Sequence, residues 1–183
     1  MFKKIFLLFL LSFPLFAKII SEPYNSHINL IKSGSQYDSF VETYLKIGFN
    51  GNIELKNNQE YDLNYISGIG INYNTYLFNG IFWCIGGDIS FISSDLNDEN
   101  YYSSNIYLGL KNFEKINHYF TLFSGVNSGI KLNSNLDNYD NENIDIFIEP
   151  FLGILLKNKY GISLHYEYAR YSNFYNLQFT YKF

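Results

Sequence analysis

His165 and Glu167 stand two residues apart, so an extended segment presents both on one face, where an imidazole base and its orienting carboxylate would sit. No serine or cysteine nucleophile is tied to them by spacing, and a histidine bonded to a carboxylate also serves as a purely structural pair. Arg170-Tyr171-Ser172-Asn173 offers a hydroxyl, but nothing adjacent takes its proton, and turn chemistry accounts equally for the Ser and Asn. Asp137, Asp140, Glu142 and Asp145 carry the oxygen ligands that Ca²⁺ favours, at spacings that do not fit the EF-hand loop. A solvated acidic loop is the plainer reading. Glu42, Lys46, Asp88, Lys131, Glu149, His165, Glu167 and Lys182 recur on the polar face of alternating segments. Charges gathered out of water must pair, so a polar network is expected there, with a narrow ion path as its functional counterpart. No Cys/His zinc constellation or phosphate-cradling loop is present, so no metal and no cofactor are expected.

The elements that would position these residues are strands. From Val41 to Leu55, apolar Val41, Leu45, Ile47 and Phe49 alternate with Glu42, Tyr44, Lys46 and Gly48 at the period of two that marks a strand. The same alternation recurs over Tyr61 to Tyr76, Ile81 to Ser93, Tyr101 to Leu110, Tyr119 to Leu132, Ile144 to Leu156, Gly161 to Arg170 and Phe174 to Phe183. Asn79-Gly80 is suited to the positive φ angles of a tight hairpin, and Lys111 to His118 reads as a basic turn. In the last strand Tyr175, Leu177, Phe179, Tyr181 and Phe183 oppose Asn176, Gln178, Thr180 and Lys182.

Eight antiparallel strands with short connections predict an all-β, up-and-down sheet closed as a barrel. A soluble ligand-carrying barrel has the same strand count with its faces reversed. Glycine decides between them: Gly48, Gly68, Gly70, Gly86, Gly109, Gly125, Gly129 and Gly153 all lie on the polar face. A residue without a side chain relieves crowding inside a narrow lumen and only weakens a water-exposed strand. The apolar face therefore meets lipid. Aromatics near both sets of turns, Phe78, Phe82, Trp83, Tyr119, Phe120, Tyr160, Tyr181 and Phe183 on one side and Tyr61, Tyr101, Tyr102, Tyr168, Tyr171, Phe174 and Tyr175 on the other, fit two interfacial girdles.

Composition agrees. The chain is 47% hydrophobic and 20% aromatic, which excludes a disordered polar chain. Met1 to Ala17 reads as a signal peptide, with Lys3 and Lys4 ahead of an apolar run too short to span a bilayer as a helix. Lys18 to Asp38 reads as a periplasmic lead-in and 39–183 as the barrel. Without Lys3 and Lys4, 13 basic residues become 11 against 17 acidic ones, a formal balance of −6 that argues against nucleic acid. Cys84, the single cysteine, excludes an internal disulfide. With both termini periplasmic, the outward links Ser94 to Asn100 and Asn133 to Asn143 are acidic and carry no Lys or Arg, whereas the opposite turns hold Lys111, Lys115, Lys157 and Lys159.

The pattern resembles the small outer-membrane barrels of the OmpA, OmpX and opacity-protein type. Its most specific part is the aromatic ending of Phe179, Tyr181 and Phe183, which is similar to the signal by which the barrel assembly machinery recognises such chains. Gln178 stands where that signal often has glycine. The resemblance implies a bacterial outer membrane location, contact with its lipid and lipopolysaccharide, and a non-enzymatic role in envelope integrity or surface contact with an unspecified ligand. Arg170-Tyr171-Ser172-Asn173 also resembles the His-x-Ser-Asn of PagL-type lipid A deacylases, with arginine where the catalytic histidine belongs. A lipid A-modifying enzyme and a small gated channel are the alternatives.

Overall fold

The computed structural model describes residues 39–54, 60–78, 80–94, 100–134, 144–170 and 172–183. The expected signal peptide and lead-in, Tyr171, and the acidic residues Asp95, Asp98, Glu99, Asp137, Asp140 and Glu142 lie outside them. The strands are β1 (Ser39–Glu54), β2 (Glu60–Phe78), β3 (Ile81–Ser94), β4 (Asn100–Lys115), β5 (Phe120–Ser134), β6 (Ile144–Leu156), β7 (Tyr160–Ala169) and β8 (Ser172–Lys182). They form one closed barrel in chain order, with β8 paired antiparallel to β1. Closure gives every strand two neighbours and leaves no edge, the condition for a sheet to sit in hydrocarbon. The end holding Ser39 and Lys182 is the terminal end; the opposite one is the link end.

Local chemistry sets the turns. Gly80 holds φ at +79°, and Lys157 and Asn158 both hold positive φ, 52° and 53°, as a tight hairpin between right-twisted strands requires.

Period two sorts the side chains. Ile146 is 73% exposed and Leu164 39% on the outside, while Glu149 and His165 are 2% and 4% exposed inside. The polar face is the lumen, and the expected glycines line it. A methyl group at Gly70 would come within 2.2 Å of the Tyr44 ring, and one at Gly125 within 2.5 Å of Phe151.

Several residues depart from the expected pattern. β4 runs on to Lys115, so Lys111 belongs to a strand and is buried rather than placed in a basic turn. Leu63 points inward, because the β2 register against β3 shifts between Leu63 and Tyr65. Phe174 is buried in the lumen and Phe82 packs against the buried Phe40 ring, so neither belongs to a lipid-facing girdle. Ser172 and Asn173 start β8 instead of forming a turn.

Gly70→Ala should destabilise the barrel by about 1–3 kcal/mol through overpacking against Tyr44, and Tyr44→Leu in the same chain should recover part of the loss. Urea midpoints of the refolded protein check both; an unchanged midpoint for Gly70→Ala contradicts the crowded lumen.

Candidate functional site

The lumen is the one place where charged side chains converge among the described residues. β1, β3, β4, β5, β6, β7 and β8 deliver them in two layers, because inward positions recur at every second residue and the register sets neighbours side by side. Toward the link end, Lys46 Nζ donates to Glu167 Oε2 at 2.9 Å and lies 3.6 Å from Asp88 Oδ1. Lys131 Nζ donates to Glu167 Oε1 at 2.8 Å and to Ser172 Oγ at 3.1 Å. One carboxylate is thus shared by two ammonium groups. Asp88 accepts from Ser90 Oγ at 3.0 Å and Tyr44 Oη at 3.1 Å, and Tyr44 Oη lies 2.8 Å from Tyr107 Oη.

Nearer the terminal end, Glu149 accepts from Asn127 at 2.9 Å, Asn176 at 3.2 Å and Gln178 at 3.4 Å. His165 Nδ1 approaches Glu149 Oε1 to 3.4 Å but off the line that a hydrogen bond needs. Glu42 accepts from Asn74 at 3.1 Å and forms a short ion pair with Lys111. Lys182 sits at this end, its Nζ 3.7 Å from the centre of the Phe40 ring.

Aromatic and aliphatic side chains wall both ends. Phe40, Phe82 and Phe113 meet edge to face, at 5.2 to 5.8 Å between centroids, and continue through Phe123 and Phe151 to His165, whose ring stacks on Phe151 at 4.8 Å. Toward the link end Leu63, Ile66, Ile92 and Phe174 form an apolar cluster, with Lys46 and Lys131 both over the Phe174 ring.

All eight expected network residues therefore face the lumen, but the partners differ from those adjacency suggests. His165 faces Glu149 of β6, and Glu167 belongs to the two lysines. Lys111, Tyr44 and Tyr107 join the network although none was expected in it. Their strand periodicity was the available signal, and for Lys111 it was masked by assigning the residue to a turn.

Ser163 was also missed. It lies two residues before His165 on the same face, and its Oγ is 2.8 Å from His165 Nε2, so Ser163, His165 and Glu149 fall in the order nucleophile, base and carboxylate. They are packed shut. All three are buried, and an added methyl at Gly153 would come within 2.5 Å of both Ser163 Cβ and the Phe123 ring. The Ser163–His165 contact lies within the packed interior, and His165 Nδ1 is left without a hydrogen bond there.

Ser172 is buried beside Lys131, and no imidazole is among its hydrogen-bond partners among the described residues. Asp145, the described member of the acidic quartet, is turned into the wall and accepts the backbone N–H groups of Ile146 and Arg170 at 2.8 and 3.3 Å. No cluster of potential metal ligands occurs among the described residues.

A closed antiparallel wall, apolar outside and ion-paired inside, is the architecture of a transmembrane β-barrel. No protein-family model matches the chain. No curated protein matches it either. Among solved structures, Ail, the attachment invasion locus protein of Yersinia pestis, is similar at 12% identity and TM-score 0.46, over 81% of this chain and 100% of that one. A structure described as de novo design of transmembrane β-barrels is similar at 13% identity and TM-score 0.46, over 81% and 98%. Ail in complex with the heparin analogue sucrose octasulfate is similar at 16% identity and TM-score 0.40, over 78% and 99%.

Glu167→Ala should cost about 3–5 kcal/mol, the usual effect of stranding a buried charge, here two of them. Adding Lys131→Met should restore part of that loss, since the orphaned ammonium goes with it. Equilibrium unfolding in detergent micelles measures both, and strict additivity would contradict the shared pairing.

Proposed function

We propose that the protein is a closed outer-membrane β-barrel that contributes to envelope integrity or surface contact, displaying its acidic links at the cell surface, and that it is not an enzyme. The observation that carries this is the apolar exterior wrapped around a lumen whose charges are paired with each other. Buried groups that already hold partners are poor at binding a ligand or activating a nucleophile, so function falls to the rims and the links.

The surroundings follow from the same wall. Lipid and lipopolysaccharide meet Ile146, Leu164 and their neighbours, and outward-facing Phe179 with exposed Phe183 supports recognition of the last strand by the barrel assembly machinery, with Tyr181 beside them.

Cell fractionation with heat-dependent gel mobility tests the placement: the protein should partition with the outer membrane and migrate faster unboiled than boiled. Leu164→Arg should cost about 2–4 kcal/mol if the residue lies near the bilayer midplane. Normal stability of that variant in lipid vesicles would remove the membrane reading.

A gated channel is the second reading, supported by the charged side chains along the axis. Eight strands leave an interior that side chains can fill, and both ends carry apolar walls. Planar bilayers holding the refolded protein should therefore show no conductance steps; reproducible openings would replace the closed barrel with the channel.

A further inference from the structure

The lipid-facing wall is not evenly bulky. Outward positions that pair across strands run Tyr160, Tyr181, Thr43, Ile71, Gly87 and Ile106 in one row. Beside it run Phe179, Leu45, Ile69, Ile89 and Ser104. Thr43, Gly87 and Ser104 are small where their neighbours are large, and the dip they leave is part of a groove of about 1080 Å³. That is slightly above the roughly 300–1,000 Å³ of enclosed ligand sites, as suits a trough open along its lipid side. Its bulky outward residues are exposed: Leu45, Ile71, Ile89 and Ile106 present apolar surface to whatever fills the space.

One end of the groove carries a cation. Tyr160 and Tyr181 line it there, with ring centroids 5.4 Å apart. The turn that leads into Tyr160 places Lys159 Nζ 5.1 Å from the centre of the Tyr181 ring. The neighbouring Tyr181 side chain raises the Lys159 pKa, so the group stays an ammonium. Lys157 is exposed on the same turn. An apolar trough in the membrane-facing wall thus ends, at the level of the terminal-end turns, in a tyrosine-flanked positive charge.

We propose that this groove holds an anionic phospholipid of the leaflet on the terminal side, with one acyl chain along Thr43 and Gly87 and the headgroup phosphate at Lys159. The chemistry is complementary at both ends. The trough takes hydrocarbon, the tyrosines sit at the depth of the ester groups, and the ammonium meets the phosphate. The inference rests on the membrane reading above and adds a lipid preference to it.

The mature full-length chain is refolded into mixed vesicles of phosphatidylcholine and phosphatidylglycerol and extracted in mild detergent. Native mass spectrometry then counts the lipids retained on the folded barrel, with heat-dependent mobility confirming folding of each variant. Wild type should retain phosphatidylglycerol over phosphatidylcholine. Lys159→Gln should cut that preference about fivefold, the factor corresponding to ~1 kcal/mol for one cation at a membrane surface. Thr43→Leu, which fills the trough, should reduce retention of both lipids and leave the preference intact.

Folded wild type that retains the two lipids in their bulk ratio overturns the groove proposal alone. So does a detergent-stable pair of barrels joined through this wall. Failure of the chain to enter vesicles at all overturns the groove and the membrane reading together.

Discussion

The structure depends on pairing the charged side chains that it buries inside a narrow cylinder. Removing an ion from water costs several kcal/mol even after relaxation, and attraction offsets that cost only when each ion's hydrogen-bonding capacity is met. Glu167 meets the requirement by accepting from Lys46, Lys131 and Asn105 at once. These partners come from β1, β5 and β4, while Glu167 itself sits on β7. One buried carboxylate therefore ties opposite sides of the wall together. An eight-stranded closure is narrow enough to permit this, and a wider barrel would leave the same residues lining water.

The wall itself obeys a second rule, that no backbone donor or acceptor can be left open to hydrocarbon. Pro150 tests it, because proline has no N–H to contribute. The β6–β7 ladder breaks between Ile148 and Phe151, yet its register resumes unchanged, which puts Tyr166 opposite Pro150. Tyr166 is almost fully buried although it lies on the outer face, and it packs on Tyr175 at 4.8 Å, which in turn stacks on Phe49 at 6.3 Å. A row of aromatic rings thus covers the weak seam in the ladder. Tyr175, one of the expected girdle residues, thereby also shields a local defect.

Strand count, closure and the inside-out distribution were legible because period two is a strong signal when it persists over ten or more residues. β6 was readable to both ends for that reason, with Ile144, Ile146 and Ile148 marching opposite Asp145, Phe147 and Glu149. Legibility failed where alternation is interrupted. The shift at Leu63 and Tyr65 reverses which apolar residue faces lipid, and a bulge leaves no trace in composition. Lys111 was lost to the prior that charged residues mark turns, although its buried partner Glu42 on β1 was recognised. Phe82 and Phe174 show that an aromatic near a strand end can plug a lumen as well as anchor a wall. Pairings such as His165 with Glu149 were out of reach, because they depend on register between strands and not on spacing along one.

Ser163, His165 and Glu149 bring a hydroxyl, an imidazole and a carboxylate into one row inside a packed lumen. A nucleophile needs a base, but also an approach path and donors aimed at the oxyanion that forms. Here Phe151 lies flat against the imidazole, and Phe123 and Ser163 both close on Gly153, so the Ser163–His165 contact is held inside packed side chains. Polarity in this lumen is thereby a packing material. Chemistry is also exposed where the packing does not reach: at the rims, where Lys157 and Lys159 stand exposed, and on the outer wall, where small residues interrupt the bulky ones.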